Sequence, residues 1–373
     1  MQMPDWDDSQ REAYLTLALV SGVGAARLLT LLDRFDTPDG ALSAPFALLR
    51  TVSGMSDATA TAIRSASRAA TRQILEALRA IGGHLLLPSD PVFPVALLQI
   101  PDPPTCLFAL GKLEALEPPA VAVVGSRNHS AYGAEVCRGV ARAATQAGLA
   151  VVSGMARGLD AVAHAGALDA SGLTIGVLGN GLDVTYPAAN RKLYTQVAEQ
   201  GLLLTEFPPG ERPSLGSFPR RNRLISGLAR VTVIVEAAIS SGALQTAECG
   251  LQQGREVMAV PGPITSPVSA GTNRLIRDGA APLLELDDLL VHYPEVGRPG
   301  TPNAAAEPGA LAPVEGRIVN ALWAGPRRVE DLVEACGAPV WAALDALSAL
   351  ELGGRVRQES GGLYRLMTPA LFR

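Results

Sequence analysis

The stretch Ala120-Val-Ala-Val-Val-Gly-Ser-Arg127 joins five aliphatic residues to a glycine turn. An unbroken aliphatic run of this length is typical of a strand buried on both faces of a parallel sheet. The alternation of such runs with helical patterns predicts an α/β domain with a doubly wound, mostly parallel sheet, whose binding site lies at the carboxyl ends of its strands. Six further runs follow the first, at residues 149–152, 174–178, 202–205, 231–235, 256–260 and 281–284.

The regions around this domain differ from it in composition. Residues 1–83 predict a helical domain of the helix-hairpin-helix or SAM-like type, because glycine turns at Gly22 and Gly54 separate apolar helical stretches. The proline-rich residues 84–119 predict an extended segment packed on the core. The remaining predictions are a Rossmann-like domain over residues 120–293, a flexible linker over 294–313 and a winged-helix-like domain over 314–373.

The overall charge excludes a generally basic nucleic-acid-binding surface. The chain has 373 residues and a formal net charge of −5, so any anion site must be local. Lysine occurs only at Lys112 and Lys192, and the other 29 of the 31 basic residues are arginine (31 − 2). Each basic cluster therefore consists of guanidinium groups, which suit forked contacts with phosphate.

Cysteine usage and the N-terminal sequence predict a cytoplasmic protein that makes no membrane contact. The four cysteines lie far apart and form no C-x-x-C pair, which argues against a zinc site and a disulfide framework. The chain begins Met1-Gln-Met-Pro-Asp-Trp-Asp-Asp8, which is acidic where a signal peptide is basic. No apolar run approaches the ~20 residues of a membrane span.

Glycine turns after several predicted strands form candidate anion cradles, because backbone amides and a helix N-terminus converge there. They contain Gly125-Ser126-Arg127, Gly154 with Arg157, and Gly242. No G-x-G-x-x-G, no Walker-type loop, no G-x-S-x-G and no H-E-x-x-H occurs, so no cofactor, metal or catalytic residue is predicted. Asp160 and His164 lie four residues apart and predict either an acid/base pair or a hydrogen bond that shapes the loop.

The run Ser217-Phe-Pro-Arg-Arg-Asn-Arg223 is a concentrated positive spot on an acidic chain. It has three arginines in four residues, and no acid occurs between Arg212 and Glu236. Single-stranded nucleic acid is bound by cations that contact its phosphates and by aromatic rings that stack on its bases. The arginines of this run and Phe218 would supply these two kinds of contact. A solvated basic face, or a salt-bridge network with Glu206 and Glu211, would explain the same run.

Two other functions fit parts of the sequence. The turn at Ser240-Ser-Gly242 resembles the phosphate loop of nucleotide-cleaving proteins with this fold, which suggests an enzyme acting on an N-glycosidic bond with Glu236 or Glu248 as catalyst. A sequence-specific regulator would use the winged helix. Its presumed recognition helix, at residues 339–352, carries two acids and no Arg or Lys, which disfavours binding to duplex phosphates.

An ordered set of motifs over about residues 90–285 resembles the DNA-processing protein A (DprA/Smf) family. Each motif alone is weak, and the set in this order is highly specific. The set comprises Phe93-Pro94, Ile100-Pro-Asp-Pro-Pro104, Gly125-Ser-Arg127, Ser153-Gly-Met-Ala-Arg-Gly158, Tyr186-Pro187 with Asn190, Phe218-Pro-Arg-Arg-Asn-Arg223, Ser241-Gly242 and Val260-Pro-Gly262.

The resemblance implies a mediator of recombination and no enzymatic activity. Members of this family bind single-stranded DNA without sequence preference, protect it, load RecA recombinase on it during natural transformation, and form homodimers through the α/β domain. The motif match, with the three residues added from the glycine turns, predicts a DNA site. Its residues are Gly125, Ser126, Arg127, Gly154, Arg157, Phe218, Arg220, Arg221, Asn222, Arg223 and Gly242.

Overall fold

The predicted sheet is present and has nine strands. The computed structural model describes residues 6–296, 313–323, 326–352, 356–359 and 362–366, which fall into two compact units divided after residue 300. The strands of the sheet are β1 (His84–Leu86), β2 (Leu107–Gly111), β3 (Ala120–Val124), β4 (Ala150–Gly154), β5 (Thr174–Val177), β6 (Leu202–Thr205), β7 (Val231–Ile234), β8 (Glu256–Ala259) and β9 (Ala281–Pro282).

The strand order is β1-β2-β6-β5-β4-β3-β7-β8-β9, and every pair from β6 to β9 is parallel. The chain runs outward from β3 to β6 and then returns to β7 on the other side of β3. A ligand site is expected at such a reversal of strand order. Each of the seven aliphatic runs forms a strand. The proline-rich segment adds β1 and β2, which extend the sheet in antiparallel pairing.

Helices cover both faces of the sheet, which explains why its strands are aliphatic without alternation. One face carries Val124 and Ile234 against Leu224 and Ala247. The opposite face carries Val123 against helix residues such as Val140. The helices of this region are α7 (Val95–Leu98), α8 (Ala131–Gln146), α9 (Leu159–Asp169), α10 (Arg191–Gln200), α11 (Ser217–Leu228), α12 (Gly242–Gln252), α13 (Ala270–Arg277) and α14 (Leu286–Leu290).

The N-terminal region is helical, as predicted. Both hairpin turns use a glycine with positive φ, 84° at Gly22 and 71° at Gly54, and Arg27 donates hydrogen bonds to the carbonyl oxygens of both. The helices share a hydrophobic core with Phe108 and Leu203 of the sheet. They are α1 (Asp8–Ala18), α2 (Ala25–Phe35), α3 (Pro38–Ser43), α4 (Phe46–Leu49), α5 (Asp57–Arg64) and α6 (Arg68–Ala80). The domain boundaries stay a prediction.

The second unit has the predicted three helices and strand hairpin of a winged helix, with a third short strand in its sheet, ordered β10-β12-β11. Residues 297–312 of the predicted linker lie outside the described residues. No single described helix has the length and apolar character to cross a membrane, whereas one bent pair, Val329–Cys336 with Val340–Glu351, meets those two criteria. The elements are α15 (Pro313–Trp323), β10 (Arg327–Arg328), α16 (Val329–Cys336), α17 (Val340–Leu352), β11 (Val356–Glu359) and β12 (Leu363–Leu366).

Candidate nucleic-acid interface

A cleft with two connected chambers opens at the carboxyl ends of β3, β4 and β7, beside the first turns of α11 and α12. The larger, called the polar chamber, has a cavity volume of about 370 Å³, and its lining includes Gly125, Ser126, Asp160, Asn222, Gly242 and Thr246. The smaller, called the aromatic chamber, is lined by residues that include Met155, Arg157, Asn180, Tyr186 and Tyr194. Arg127, Ala156, Phe218 and Arg221 line both chambers.

Hydrogen bonds to Glu236 fix the glycine turn after β3. The Ser126 amide donates to the Glu236 carbonyl oxygen at 2.7 Å. The buried Glu236 carboxylate accepts bonds from the Ser130 amide at 2.9 Å and from the Ser130 hydroxyl at 2.5 Å. The turn also meets the loop after β4 closely, because a Cβ on Gly158 would lie 2.4 Å from the Ser126 carbonyl oxygen. The turn is therefore fixed in position, and Arg127 projects from it with an exposed side chain.

Arg127 and Tyr186 both contact the Phe218 ring in the cleft. The Arg127 guanidinium carbon lies 5.9 Å from the centroid of the Phe218 ring, within the range of a cation–π contact. The centroids of the Phe218 and Tyr186 rings are 5.7 Å apart, with the planes tilted by 36°. Tyr186 was quoted for the family resemblance but not predicted as a site residue. Its position just after a strand, beyond Gly179-Asn-Gly181, was the available signal.

Arg221 is a buried guanidinium with few partners. The residue is 6% exposed and lines both chambers. One terminal nitrogen donates to the Val177 carbonyl oxygen at 2.6 Å, while Nε has no partner among the described residues. Burial lowers the pKa of Arg221, and the negative charge of Asp160 partly offsets that effect. An anion in the cleft would satisfy this guanidinium, since a buried charge is otherwise costly.

Gly154 lies behind Arg221 and makes room for it. A Cβ at this position would lie 2.1 Å from a terminal nitrogen of Arg221 and 2.6 Å from the Asp160 Oδ2 atom. Contacts this short do not occur in proteins, so a side chain at Gly154 would displace the guanidinium. Gly154 therefore acts on the cleft through Arg221 and does not itself line either chamber.

Asp160 and His164 are not directed at each other. Burial raises the pKa of Asp160 to about 6, against an opposing effect of Arg221. Burial lowers the pKa of His164 to about 4. Its ring nitrogens lie 2.7 Å from the Thr174 hydroxyl and 3.1 Å from the Gly154 carbonyl oxygen. His164 therefore shapes the loop after β4, which was one of the two predicted roles.

The other two arginines of α11 face away from the cleft. A terminal nitrogen of Arg223 donates to both carboxylate oxygens of Glu206, at 2.6 and 2.7 Å, and its Nε lies 3.1 Å from Asp102. Arg220 lies 3.6 Å from Glu206 and above the Phe207 ring. The alternative interpretation of the arginine run, a salt-bridge network with Glu206, therefore describes this face of the helix.

The structure brings most of the predicted site residues together. Those that line the cleft are Gly125, Ser126, Arg127, Arg157, Phe218, Arg221, Asn222 and Gly242. Asn222 is buried, and its side-chain amide makes no hydrogen bond to another described residue. The same is true of the Thr246 hydroxyl, although Thr246 was not predicted as a site residue. Three arginines thus share the cleft lining with one carboxylate, Asp160.

The two glutamates considered as catalysts do not line the cleft. The carboxylate of Glu236 is buried under α8, where a Cβ on Gly133 would lie 2.3 Å from its Oε2 atom. Glu248 lies on the exposed side of α12 and accepts a bond from Gln252 at 3.4 Å.

Fold and site define a Rossmann-like protein with an arginine-lined anion cleft and a separate winged-helix unit. A family model described as DNA recombination-mediator protein A matches residues 84–294, and the DprA winged helix domain model matches residues 302–362. The chain therefore belongs to the DprA/Smf family of DNA-processing, recombination-mediator proteins. The sequence predicted both this family and the fold correctly.

Similar proteins and structures span most of the chain. Protein Smf of Escherichia coli K12 is 40% identical over 299 residues, which are 76% of this chain and 78% of the relative. The crystal structure of Streptococcus pneumoniae DprA is 32% identical, with a TM-score of 0.67, and covers 78% of this chain and 98% of its own. The Helicobacter pylori DprA structure describes the single-stranded DNA binding mode of that protein. It is 29% identical, with a TM-score of 0.52, and covers 56% of this chain and 94% of its own.

Proposed function

We propose that this protein binds single-stranded DNA in the two-chambered cleft without sequence preference, protects it, and loads RecA recombinase on it in the cytoplasm. Arg221 is the observation that carries the proposal. Its guanidinium is buried in the cleft wall, makes one hydrogen bond to the protein and leaves Nε unsatisfied. A DNA phosphate supplies the missing charge and acceptors.

Contacts to the backbone and to base faces account for binding without sequence preference. Arg127, Arg157 and Arg221 neutralise phosphates, and the amides of the turns at Gly125 and Gly242 donate to phosphate oxygens. Phe218 stacks on a base, an interaction worth about 1–3 kcal/mol by substitution. Phosphates and ring faces are common to all nucleotides, so such a site does not distinguish sequences.

The acidic surface and a homodimer fit the same function. With a net charge of −5, most of the surface repels DNA and confines it to the cleft. A homodimer formed through the α/β domain would present two clefts to one strand and raise its avidity. Loading of RecA requires a contact between this protein and the recombinase. The support for that contact is membership of the DprA/Smf family.

The competing proposal is hydrolysis of a nucleotide at an N-glycosidic bond. Its candidate glutamates lie outside the cleft, and the one carboxylate in the lining, Asp160, is packed against Gly154 and Arg221. We therefore propose that the protein is not an enzyme. Release of free base during incubation with mononucleotides would contradict this.

Fluorescence anisotropy with labelled oligo-dT and its duplex, each at two salt concentrations, tests the proposed function. Wild type is expected to prefer the single strand, and Arg127→Ala is expected to weaken binding by about tenfold and to reduce the salt slope by about one. Arg142→Ala is the matched control, because Arg142 is an exposed arginine on α8 outside the cleft lining. Equal binding of single strand and duplex, or equal losses in both variants, would contradict the assignment.

A further inference from the structure

The first turn of α11 carries Phe218 and Arg221 into the cleft, whereas its C-terminal half is held by residues outside the cleft. Two of these, Gln253 and Arg255, lie in the turn between α12 and β8. We propose that this turn, together with α7, positions α11, and that Arg255 is a positioning residue for DNA binding. Arg255 lines neither chamber. The inference rests on the proposed function and extends it to residues that do not contact DNA.

The turn between α12 and β8 reaches α11 through hydrogen bonds to its C-terminal half. The Gln253 amide nitrogen donates to the Arg223 carbonyl oxygen at 2.8 Å, and the Ser226 hydroxyl donates to the Gln253 amide oxygen at 2.7 Å. A terminal nitrogen of Arg255 donates to the Gly227 carbonyl oxygen at 3.2 Å. Carbonyl oxygens in the last turn of a helix have no partner within the helix, and Arg255 supplies one here.

The same nitrogen of Arg255 joins α11 to the proline-rich segment. It also donates to the Ala96 carbonyl oxygen of α7, at 3.1 Å. Little space separates the two helices, because a Cβ on Gly227 would lie 2.8 Å from Leu97 Cδ2 and 3.0 Å from Ile100 Cγ2. Leu97 and Ile100 are themselves buried. The position of α11 therefore depends on its contact with α7 at Gly227 and on the bridge that Arg255 makes there.

A helix transmits a displacement from one end to the other because its backbone is hydrogen-bonded throughout. Phe218 is nine residues before Gly227, a distance of about 14 Å along the axis. Movement of the C-terminal half would also shift Arg221 from the Val177 carbonyl oxygen, which is 2.6 Å from its terminal nitrogen. Binding sites need their groups held to within about 0.5 Å. Arg255 therefore acts on DNA affinity through α11.

The first test compares Arg255→Met with Arg27→Met, its matched control. Arg27 is also partly buried and also donates to two carbonyl oxygens, but these belong to Gly22 and Gly54 of the N-terminal hairpins. Urea denaturation is expected to show similar losses of stability in both variants. Affinity for oligo-dT, measured by anisotropy, is expected to fall by about fivefold in Arg255→Met alone. Its salt slope should equal that of wild type, because Arg255 neutralises no phosphate.

The second test leaves Arg255 in place and uses the contact between α11 and α7. The methyl group of Gly227→Ala would collide with Leu97 and displace α11, while alanine favours a helix more than glycine does. Affinity for oligo-dT is therefore expected to fall by about threefold with little change in stability. Adding Leu97→Ala makes room for the methyl group. The double variant is expected to regain most of the wild-type affinity, although it is less stable than wild type.

The outcomes separate this inference from the function on which it rests. If wild type binds oligo-dT and Arg255→Met binds it as tightly as Arg27→Met does, the positioning role is wrong and the DNA cleft stands. A reduced salt slope in Arg255→Met would mean that Arg255 itself contacts phosphate, which also overturns the positioning role. A double variant that binds no better than Gly227→Ala would show that α7 does not set the position of α11. If wild type binds no single strand, the proposed function fails and the positioning role with it.

Discussion

The arginines on the two faces of α11 differ in whether they have a carboxylate partner. On the cleft side, Arg221 is buried with one hydrogen bond to a carbonyl oxygen and no ion pair within 4.0 Å among the described residues. On the other side, Arg223 is held by both oxygens of the buried Glu206 carboxylate. Arg223 thus has a carboxylate counter-ion, and Arg221 has none within 4.0 Å among the described residues, although both guanidinium groups keep buried nitrogens without a hydrogen-bond partner. A buried charge without a counter-ion is costly, which favours a ligand at Arg221.

The largest expected effect is the loss of DNA binding in Arg221→Met. Removing one partner of a buried charge pair costs about 2–5 kcal/mol, so the affinity for oligo-dT should fall by about 100-fold. The free energy of unfolding should stay within about 1 kcal/mol of wild type, because the desolvation penalty of the guanidinium disappears together with its hydrogen bond. Anisotropy and urea denaturation measure the two quantities, and a large loss of stability without a loss of affinity would contradict the comparison.

Arg223→Met should show the reverse pattern. The substitution leaves the Glu206 carboxylate buried without its main partner, and the free energy of unfolding should fall by about 3 kcal/mol. Burial already raises the pKa of Glu206 against the opposing effect of Arg223. Affinity for oligo-dT, measured below the unfolding transition, should be within about twofold of wild type. A loss of affinity as large as that of Arg221→Met would place the strand on the wrong face of the helix.

The smallest expected effect is a pH dependence due to Asp160. Its folded pKa of about 6 lies above the unfolded value of about 3.9, so protonation stabilises the fold, and this contribution is lost as the pH rises through about 6. The same protonation removes the negative charge beside Arg221, and affinity for oligo-dT should rise by up to about tenfold from pH 7 to pH 5.

Asp160→Asn is the control for that pH dependence. The variant carries the neutral side chain at every pH, so it should bind at pH 7 as wild type binds at pH 5, and its affinity should change less between the two. All other titrating groups are common to both proteins. An equal pH dependence in wild type and Asp160→Asn would exclude Asp160 as its source.

Helix α17 of the winged-helix unit differs from α11 in having no arginine at all. In α17, Trp341 is 73% exposed and Val340 and Leu344 are exposed beside Asp345, and the helix has no basic residue. This surface lacks the cations that a recognition helix uses on duplex phosphates. The low expectation of duplex binding rests on this charge pattern and stays a prediction.

Local sequence predicted the sheet better than it predicted the site. Strands β3 and β6 have the bounds of their aliphatic runs, because burial on both faces leaves a signal in each run itself. Strand β2 was predicted only as an extended segment, since its pairing with β6 joins residues nearly 100 positions apart and leaves no local signal. The antiparallel extension of the sheet was missed for this reason.

The site residues were harder to separate because their roles depend on helix orientation. The sequence does not show which face of α11 packs on the sheet. Arg220, Arg221 and Arg223 were therefore equivalent candidates until the structure showed which of them line the cleft. The contact of Tyr186 with Phe218 joins the loop after β5 to the first turn of α11 and likewise leaves no local signal. The turns at Gly125 and Gly242, by contrast, line the cleft as expected, since a strand followed by glycine and a helix start is a local pattern, whereas Gly154 lies behind Arg221.

A crystal structure of the full chain with oligo-dT tests the central claim most directly. We expect a phosphate oxygen within hydrogen-bonding distance of Arg221 and Arg127 in the polar chamber, with a base against Phe218. Arg223 should keep its bonds to Glu206 in the complex. A strand bound along Arg220 and Arg223, or only to the winged-helix unit, with the cleft unoccupied, would contradict it.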